Sequence, residues 1–443
     1  MRLFLFAAAI PLAAQPVLIR NVDVYPVTAA PMKAVSVLIQ HGKIADIGAK
    51  LAPAKGVRTI EGKGLRVYPG LIDSNTELGL SEVPAERMTV DTGELGEFMP
   101  QLRALVAVNP ESEHFPVVRV NGITSAMTFP SSGGGAGGGG GGRGVTNNQI
   151  ISGQAALIHT DGWTWEEMEV KRSAAMHVIF PSLGGRGGRG GGNPDFAPPE
   201  LFGETNAGGF AQRKRNYDQQ IKRLTEFFEE ARRYQKARAA NVPGFVRDLK
   251  YEAMLPVLDG KLPLAVSATR AVSIRDAIGF AEKQNVKIVI LQPRDLGKVA
   301  GELKSRNIPV ILGRVLALPD EEDDPYDEAF TLPAEAYHAG LKFAFGTFTN
   351  EFVRNIPYQA ATAVAFGLPY EEALKAVTIN AAEIWGVSDR LGSVEKGKVA
   401  DLLVTDGDPL EVRTQIKHLF INGREAPLTN KQTRLYEKYM SRQ

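Results

Sequence analysis

The chain begins and ends with short segments in which apolar and polar residues alternate. Val17–Ile19 and Val35–Ile39 precede the turn at His41–Lys43, and the same pattern returns at Asp401–Val404 and Ile416–Ile421. Alternation with a period of two residues, bounded by glycine-containing turns, is typical of antiparallel strands. Because the two segments lie at opposite ends of the chain, we expect them to pair into one small sheet domain.

Between these segments, eight continuous apolar runs alternate with helix-period segments. The runs are Leu65–Asp73, Gly122–Thr128, Ala155–His159, Ala174–Phe180, Pro263–Ala268, Lys287–Leu291, Pro309–Leu312 and Lys342–Gly346. Continuous apolar strands alternating with helices such as Ile274–Gln284 and Leu296–Arg306 indicate a parallel sheet buried on both faces. The pattern predicts an α/β protein with a (β/α)8 TIM barrel. An open doubly wound sheet is the alternative, although no glycine fingerprint follows the first strand.

The amino-acid composition excludes several classes of function. The 443 residues include 51 Lys and Arg against 50 Asp and Glu, and 44% are hydrophobic. A near-neutral balance gives no electrostatic reason to expect nucleic acid or an anionic membrane as a partner. The chain has no cysteine, which excludes disulfides, thiolate metal sites and cysteine nucleophiles.

Two kinds of segment stand apart from the domain pattern. Residues 1–14 carry Arg2 followed by an apolar stretch too short to span a bilayer comfortably and by small residues, which predicts a signal peptide and a periplasmic or secreted protein. Residues 131–144 and 184–192 are almost pure glycine with a few arginines. Such runs rarely hold fixed structure, so we expect loops at the carboxyl-terminal rim of the barrel.

Three stretches carry a family resemblance. The first is Val67–Asp73, the second is Thr378–Gly386 followed by the LGSVEKGKVAD stretch of Leu391–Asp401, and the third is the pair of terminal β segments. Together they resemble the metal-dependent amidohydrolase superfamily over nearly the whole chain after residue 14. The resemblance implies a barrel with a composite β-sandwich and a site at the carboxyl ends of the strands. It also implies hydrolysis of non-peptide C–N bonds.

The resemblance implies a metal centre whose ligands have no counterparts in this chain. The family holds one or two divalent metals, typically zinc, with two His on strand 1, a carboxylate or carbamylated Lys on strand 4, His on strands 5 and 6, and Asp on strand 8. The matching positions carry Asn75 with Glu77, then Ser267 or Thr269, then Gln292 and Phe348. Lys171 just precedes the predicted strand 4. Neutral oxygens bind zinc-like metals poorly, so we expect no metal and no other cofactor.

The predicted binding pocket collects ionisable and polar residues at the expected barrel mouth. Its members are Asn75, Glu77, His177, Ser267, Thr269, Arg270, Gln292 and Phe348. Glu77 is the candidate catalytic residue, as a general base, with Arg270 as a possible electrophile. For His177 and His159, packing is favoured over ligation, and His41, His338 and His418 are expected to be structural. His114 lies in an insertion, and no G-x-S-x-G elbow is present.

These observations predict a domain plan. We expect a signal peptide at 1–14, sandwich segments at 15–66 and 388–426, a barrel at 67–387 and a tail at 427–443. The leading functional hypothesis is a degenerate pseudoenzyme that keeps the fold and binds an unidentified small molecule or a related amidohydrolase subunit, as a homo- or hetero-oligomer. The alternatives are an active hydrolase that uses Glu77 with a weak metal or none, and a binding protein that uses the Gly-rich rim. No further segment is apolar enough to span a membrane.

Overall fold

The computed structural model describes residues 15–52, 55–130, 149–183, 210–241, 243–319 and 324–442. The predicted signal peptide at 1–14 and both glycine-rich segments, 131–144 and 184–192, lie outside the described residues. No helix in the described ranges is long and apolar enough to cross a membrane.

Both ends of the chain build one eight-stranded sheet. Its path is β16-β15-β14-β5-β1-β2-β3, with β4 paired to β1. The strands are β1 (Val17–Val24), β2 (Met32–Gln40), β3 (Lys43–Gly48), β4 (Arg58–Glu61), β5 (Arg66–Pro69), β14 (Leu402–Thr405), β15 (Ile416–Ile421) and β16 (Arg424–Glu425). The antiparallel ladder from Leu402 against Pro69 to Thr405 against Arg66 joins the two ends. The predicted separate sheet domain is therefore confirmed.

A second eight-stranded sheet forms the barrel. Its order runs without interruption from β13 to β6. The strands are β6 (Leu71–Thr76), β7 (Ile123–Thr128), β8 (Ile151–His159), β9 (Glu169–Ile179), β10 (Leu264–Ser267), β11 (Ile288–Leu291), β12 (Val310–Leu312) and β13 (Phe343–Phe345). The predicted TIM-type barrel is thus confirmed as a nearly closed sheet of eight strands.

The direction of one barrel strand differs from the parallel prediction. β8 pairs antiparallel with both β7 and β9, whereas the remaining neighbours in the barrel are parallel. The chain therefore reverses direction between β7 and β8 and again between β8 and β9. As a result, the first residues of β8 lie at the same end of the barrel as the last residues of β7 and β9.

Two strand boundaries also differ from the prediction. The run Leu65–Asp73 is divided at Gly70, so that β5 belongs to the first sheet and β6 to the barrel. A Cβ at Gly70 would lie 2.0 Å from Thr124 Oγ1, which explains why only glycine fits this crossing point. β9 begins earlier than predicted, at Glu169, and Lys171 therefore lies within this strand.

The two faces of the barrel strands pack differently. Alternate residues such as Ala265, Val289 and Ile311 belong to an interior cluster that fills the barrel together with Phe129 and Trp385. The residues between them, among them Val266 and Ile290, pack outward against helices. This two-residue alternation fixes which side chains continue into the barrel mouth beyond the strand ends.

Helices cover the outside of the barrel. They are α1 (His114–Arg119), α2 (Trp165–Met168), α3 (Phe210–Ala239), α4 (Leu249–Leu258), α5 (Ala271–Gln284), α6 (Leu296–Ser305), α7 (Glu328–His338), α8 (Ile356–Ala365), α9 (Tyr370–Ala376), α10 (Ile379–Ile384) and α11 (Lys431–Met440). α5, α6 and α7 each connect two consecutive parallel strands, as the βα pattern requires. α11 lies in the predicted tail and begins with a capping box between Asn430 and Thr433.

Candidate functional site at the barrel mouth

A buried histidine forms the centre of a polar network at the carboxyl end of β9. His177 continues the inward-facing row that includes Ala175, and only 6% of its surface is exposed. Its Nε2 lies 2.9 Å from Ser267 Oγ at the end of β10. Its Nδ1 lies 2.7 Å from Ser152 Oγ and 2.8 Å from the carbonyl oxygen of Pro130. Both ring nitrogens are therefore engaged.

The surrounding acceptors define the protonation of His177. The Pro130 carbonyl can only accept a hydrogen bond, so Nδ1 carries the proton and donates it. Nε2 then holds the lone pair and accepts from the Ser267 hydroxyl. Burial lowers the pKa of His177 to about 4, partly opposed by the bond to Pro130, so the ring is neutral at pH 7. The Phe129 ring packs against it in a T-shaped arrangement, with centroids 5.4 Å apart.

Ser152 reaches the network because of an irregularity in β8. The ladder between β8 and β9 shifts register between Ile151 and Gly153, and Gly153 pairs with His177. A bulge of this kind re-aims a side chain. Ser152 is fully buried, and its hydroxyl also lies 3.0 Å from the Pro130 carbonyl. Sequence reasoning missed both Ser152 and Pro130, because it assigned β8 the opposite direction.

A second buried group closes the seam between the first and last barrel strands. Asp73 on β6 is fully buried, and its Oδ1 accepts the N–H groups of Thr347 and Asn75, each at 3.1 Å. Its Oδ2 accepts the Thr347 hydroxyl at 2.5 Å. Burial raises the pKa of Asp73 to about 7, and the hydrogen bonds from Thr347 and Asn75 oppose that shift. Asp73 is thus a structural residue of the seam, the role that the family motif implies.

Gln292 and Phe348 adopt a backbone conformation that such residues seldom accept. Their φ angles are +51° and +58°. The Gln292 N–H donates to the Ile311 carbonyl at 2.8 Å, and the Phe348 N–H donates to the Asn75 carbonyl at 2.7 Å. These bonds hold the turns immediately after β11 and β13. The ring of Phe348 packs partly buried against the interior cluster. Strained residues of this kind concentrate at functional sites.

The other predicted pocket residues occupy the rim. Glu77 and Thr269 are half-buried, and the Thr269 carbonyl accepts the N–H of Arg294 at 2.9 Å. Arg270 stands at the start of α5, with Nη1 3.8 Å from Asp295 Oδ1. The structure therefore connects His177 to Ser267 and Phe348 to Asn75 by direct hydrogen bonds. Arg270 pairs with the carboxylate of Asp295.

Lys171 lies at the opposite end of the barrel from His177. Its ammonium donates to the carbonyl of Trp385 at 2.8 Å, and burial lowers its pKa. It lines a cavity of about 520 Å³ at the amino-terminal ends of the strands. It lies six positions before His177 on the strand, or roughly 20 Å away. It does not occupy the position of a mouth lysine, even though it lies within β9.

The remaining histidines lie away from the mouth network. His159 Nδ1 is 3.2 Å from Asp401 Oδ2 at the carboxyl end of the antiparallel β8, which is the amino-terminal end of the barrel. His418 Nδ1 is 2.6 Å from Glu425 Oε1 in the first sheet. His114 Nε2 is 2.9 Å from the Glu82 carbonyl. Each of the three therefore has a local partner.

The donor set at the mouth does not fit the zinc-type centre that the fold implies. No group of three or more His, Asp or Glu within the described ranges is arranged to hold a metal ion. Asn75, Ser267 and Gln292 offer neutral oxygens, which are poor ligands for such metals. Both nitrogens of His177 are already engaged by Pro130, Ser152 and Ser267.

Comparison with known proteins agrees with the architecture. A nearly closed barrel with a separate sheet built from both chain ends matches the architecture of solved amidohydrolases. The family model described as "Amidohydrolase family" matches residues 280–426. The crystal structure of an amidohydrolase from Thermotoga maritima is 26% identical, with a TM-score of 0.76, and the match covers 93% of this chain and 99% of that one. Residues 280–426 of the chain thus match the amidohydrolase family, and the fold resembles that of a solved amidohydrolase along nearly its whole length.

Curated relatives share sequence over parts of their length. The amidohydrolase tasK of Hapsidospora irregularis is 24% identical over 415 residues, which are 87% of this chain. The match spans only 39% of the length of that relative. An imidazolonepropionase of Flavobacterium johnsoniae is 31% identical over 154 residues, covering 33% of this chain and 34% of the relative.

Proposed function

We propose that this chain is an amidohydrolase-fold protein that has given up the family's metal centre and binds a small molecule at the barrel mouth. The observation that carries the proposal is the engagement of both nitrogens of His177, by Pro130 and Ser152 on one side and Ser267 on the other. A metal would need the lone pair on Nε2, and taking it would remove the hydrogen-bond acceptor of the Ser267 hydroxyl.

The identity of the neighbouring residues supports the same proposal. Phe348 places an aromatic ring where the family resemblance implies an aspartate ligand, and the ring packs on the interior cluster. Gln292 and Asn75 supply amides where histidines are implied. The half-buried Ser267, Gln292 and Glu77 leave a partly exposed polar rim above an apolar interior. Polar side chains at the edge of an apolar surface can orient a small organic ligand.

We also propose a partner and a cellular location for the protein. A chain without the metal-dependent reaction can act as a pseudoenzyme that partners a related, active amidohydrolase subunit. The apolar segment at residues 1–14 supports export to the periplasm or outside the cell. Size-exclusion chromatography of the protein with and without a related amidohydrolase subunit tests whether the two form a complex.

Elemental analysis tests the absence of the metal centre. The purified protein is incubated with Zn²⁺, Mn²⁺ or Ca²⁺, desalted and measured by inductively coupled plasma mass spectrometry. We expect a stoichiometry near zero. One or two tightly held ions per chain would overturn the proposal and bring forward a hydrolase that uses Glu77 as general base.

A further inference from the structure

We infer that Ser267 and His177 form a nucleophile–base pair that accepts acyl groups from activated esters without a metal. This inference rests on the proposed loss of the metal centre and adds a covalent activity at the same site. It follows from the arrangement of three groups in line: the Ser267 hydroxyl, the His177 ring and the Pro130 carbonyl.

The geometry satisfies the requirements for serine activation. Ser267 Oγ lies 2.9 Å from His177 Nε2, within the reach needed for proton transfer. The opposite ring nitrogen is fixed by the Pro130 carbonyl at 2.8 Å. An orienting group behind the base sets the tautomer in which Nε2 can accept a proton. Here a backbone carbonyl takes the place that a carboxylate holds in the serine protease triad.

Exposure distinguishes Ser267 from the other serine of the network. Ser267 is half-buried at the end of β10, so a molecule entering the barrel mouth can approach its hydroxyl. Ser152 is fully buried, and its hydroxyl lies within hydrogen-bond distance of both Pro130 O and His177 Nδ1. Ser267 is therefore the nucleophile, and Ser152 is a positioning residue.

The chemistry is a two-step transfer. Ser267 Oγ bonds to the ester carbonyl carbon while its proton moves to His177 Nε2, and the leaving alkoxide or phenoxide departs with that proton. A water molecule then attacks the acyl-serine, gives its proton to Nε2, and releases the acid as Ser267 regains a proton. The products are the alcohol and the carboxylic acid, as in any ester hydrolysis.

The environment of His177 limits the substrate class. No charge lies on the Pro130 carbonyl to balance an imidazolium, and burial lowers the pKa of His177 to about 4. A weak base transfers protons well only when the leaving group is itself weakly basic. The site therefore suits activated esters, such as aryl esters, ahead of amides. This preference separates it from the C–N bond hydrolysis of the metal-dependent relatives.

Covalent labelling tests the inference on the full chain. The protein is treated with a fluorophosphonate, and the intact mass and the modified peptide are determined. We expect one adduct per chain, located on Ser267 and absent in Ser267→Ala. Ser182→Ala is the matched control, because Ser182 is an exposed serine just beyond the same end of β9. This control should label as the natural sequence does.

A second variant tests the base. His177→Gln keeps a polar side chain and should slow labelling at least 100-fold, the lower limit for general-base catalysis. Absence of an adduct, or an adduct mapped to another serine, would overturn the inference while the metal analysis still supports the proposed function. Bound metal would overturn the proposed function itself. If His177→Gln fails to fold, the comparison of Ser267→Ala with Ser182→Ala still decides whether Ser267 is the nucleophile.

Discussion

The carboxylate of Asp73 on the first barrel strand accepts both the N–H and the hydroxyl of Thr347, which follows the last strand. The two residues are 274 positions apart in the chain. Together with the bond from the Phe348 N–H to the Asn75 carbonyl, they close the barrel between β6 and β13. The positions of Asn75 and Phe348 at the mouth therefore depend on this buried pair.

Replacing Thr347 with valine should weaken the seam. The variant keeps the shape of the side chain but removes one donor to a fully buried carboxyl group. We expect the free energy of unfolding to fall by about 1–3 kcal/mol, measured by urea titration. Thr362→Val is the control, because the Thr362 hydroxyl only bonds back to Tyr358 O within α8. Equal stability of the two variants would contradict the role of the seam.

Asp73 and His177 should give opposite pH dependences of stability. Burial raises the pKa of Asp73 from 3.8 to about 7, so its contribution is present below pH 3.8 and is lost as pH rises through 7. Burial lowers the pKa of His177 from 6.5 to about 4, so its contribution is present above pH 6.5 and is lost as pH falls toward 4. Between pH 4 and 6.5 the two slopes oppose each other.

In the Asp73→Asn variant, the pH dependence of the free energy of unfolding should therefore show the contribution of His177 without the opposing contribution of Asp73. The free energy of unfolding of this variant should rise by about 3 kcal/mol from pH 4 to 6.5, measured by denaturant titration at fixed ionic strength. His177→Gln is the counterpart, and its stability should fall as pH rises across the same range. A flat profile for Asp73→Asn would show that His177 does not titrate with a lowered pKa.

The rate of fluorophosphonate labelling should persist into acid. Labelling needs neutral His177, and the lowered pKa of His177 keeps the ring neutral well below the ordinary range of histidine. We expect rates at pH 5.5 and pH 8 that agree within about twofold, after correction for reagent hydrolysis. A rate that falls about fivefold as the pH is lowered from 6.5 to 5.5 would indicate a histidine of ordinary pKa as the base.

Glu77→Gln separates the two catalytic hypotheses. If Ser267 and His177 act together, this variant should label and hydrolyse an aryl ester at the natural rate. Glu437→Gln is the control, since Glu437 is exposed on α11, which follows all of the barrel strands in the chain. A loss of turnover in Glu77→Gln alone, with labelling intact, would favour a hydrolase that uses Glu77 as its base.

The strand pattern was predictable because each barrel strand is a continuous apolar run that is buried whatever its direction. The direction of β8 was not predictable, since residues 151–159 are buried along their whole length and carry no mark of parallel or antiparallel pairing. The sequence placed Lys171 just before its strand, because the start of a strand is hard to predict when its first residues are polar. The structure shows that Lys171 lies within β9, where its ammonium donates to the Trp385 carbonyl.

The candidate site was predicted in part. His177 and Ser267 were named from the sequence as pocket residues, and their hydrogen bond places them together. Their partner Ser152 depends on a register shift in β8, which has no local sequence signal beyond Gly153. Backbone groups such as the Pro130 carbonyl carry no residue-specific chemistry, so they emerge only when the chain is folded.

Because both chain ends contribute strands to one sheet, that sheet can be completed only late in synthesis. Ribosomes release the amino-terminal strands first, and β5 must wait for β14, more than 330 residues later, before its ladder can form. During that interval the edge of β5 remains open to other chains. A stop codon anywhere before residue 402 would leave this edge exposed permanently, so a truncated product should aggregate or be degraded even if most of the barrel is present.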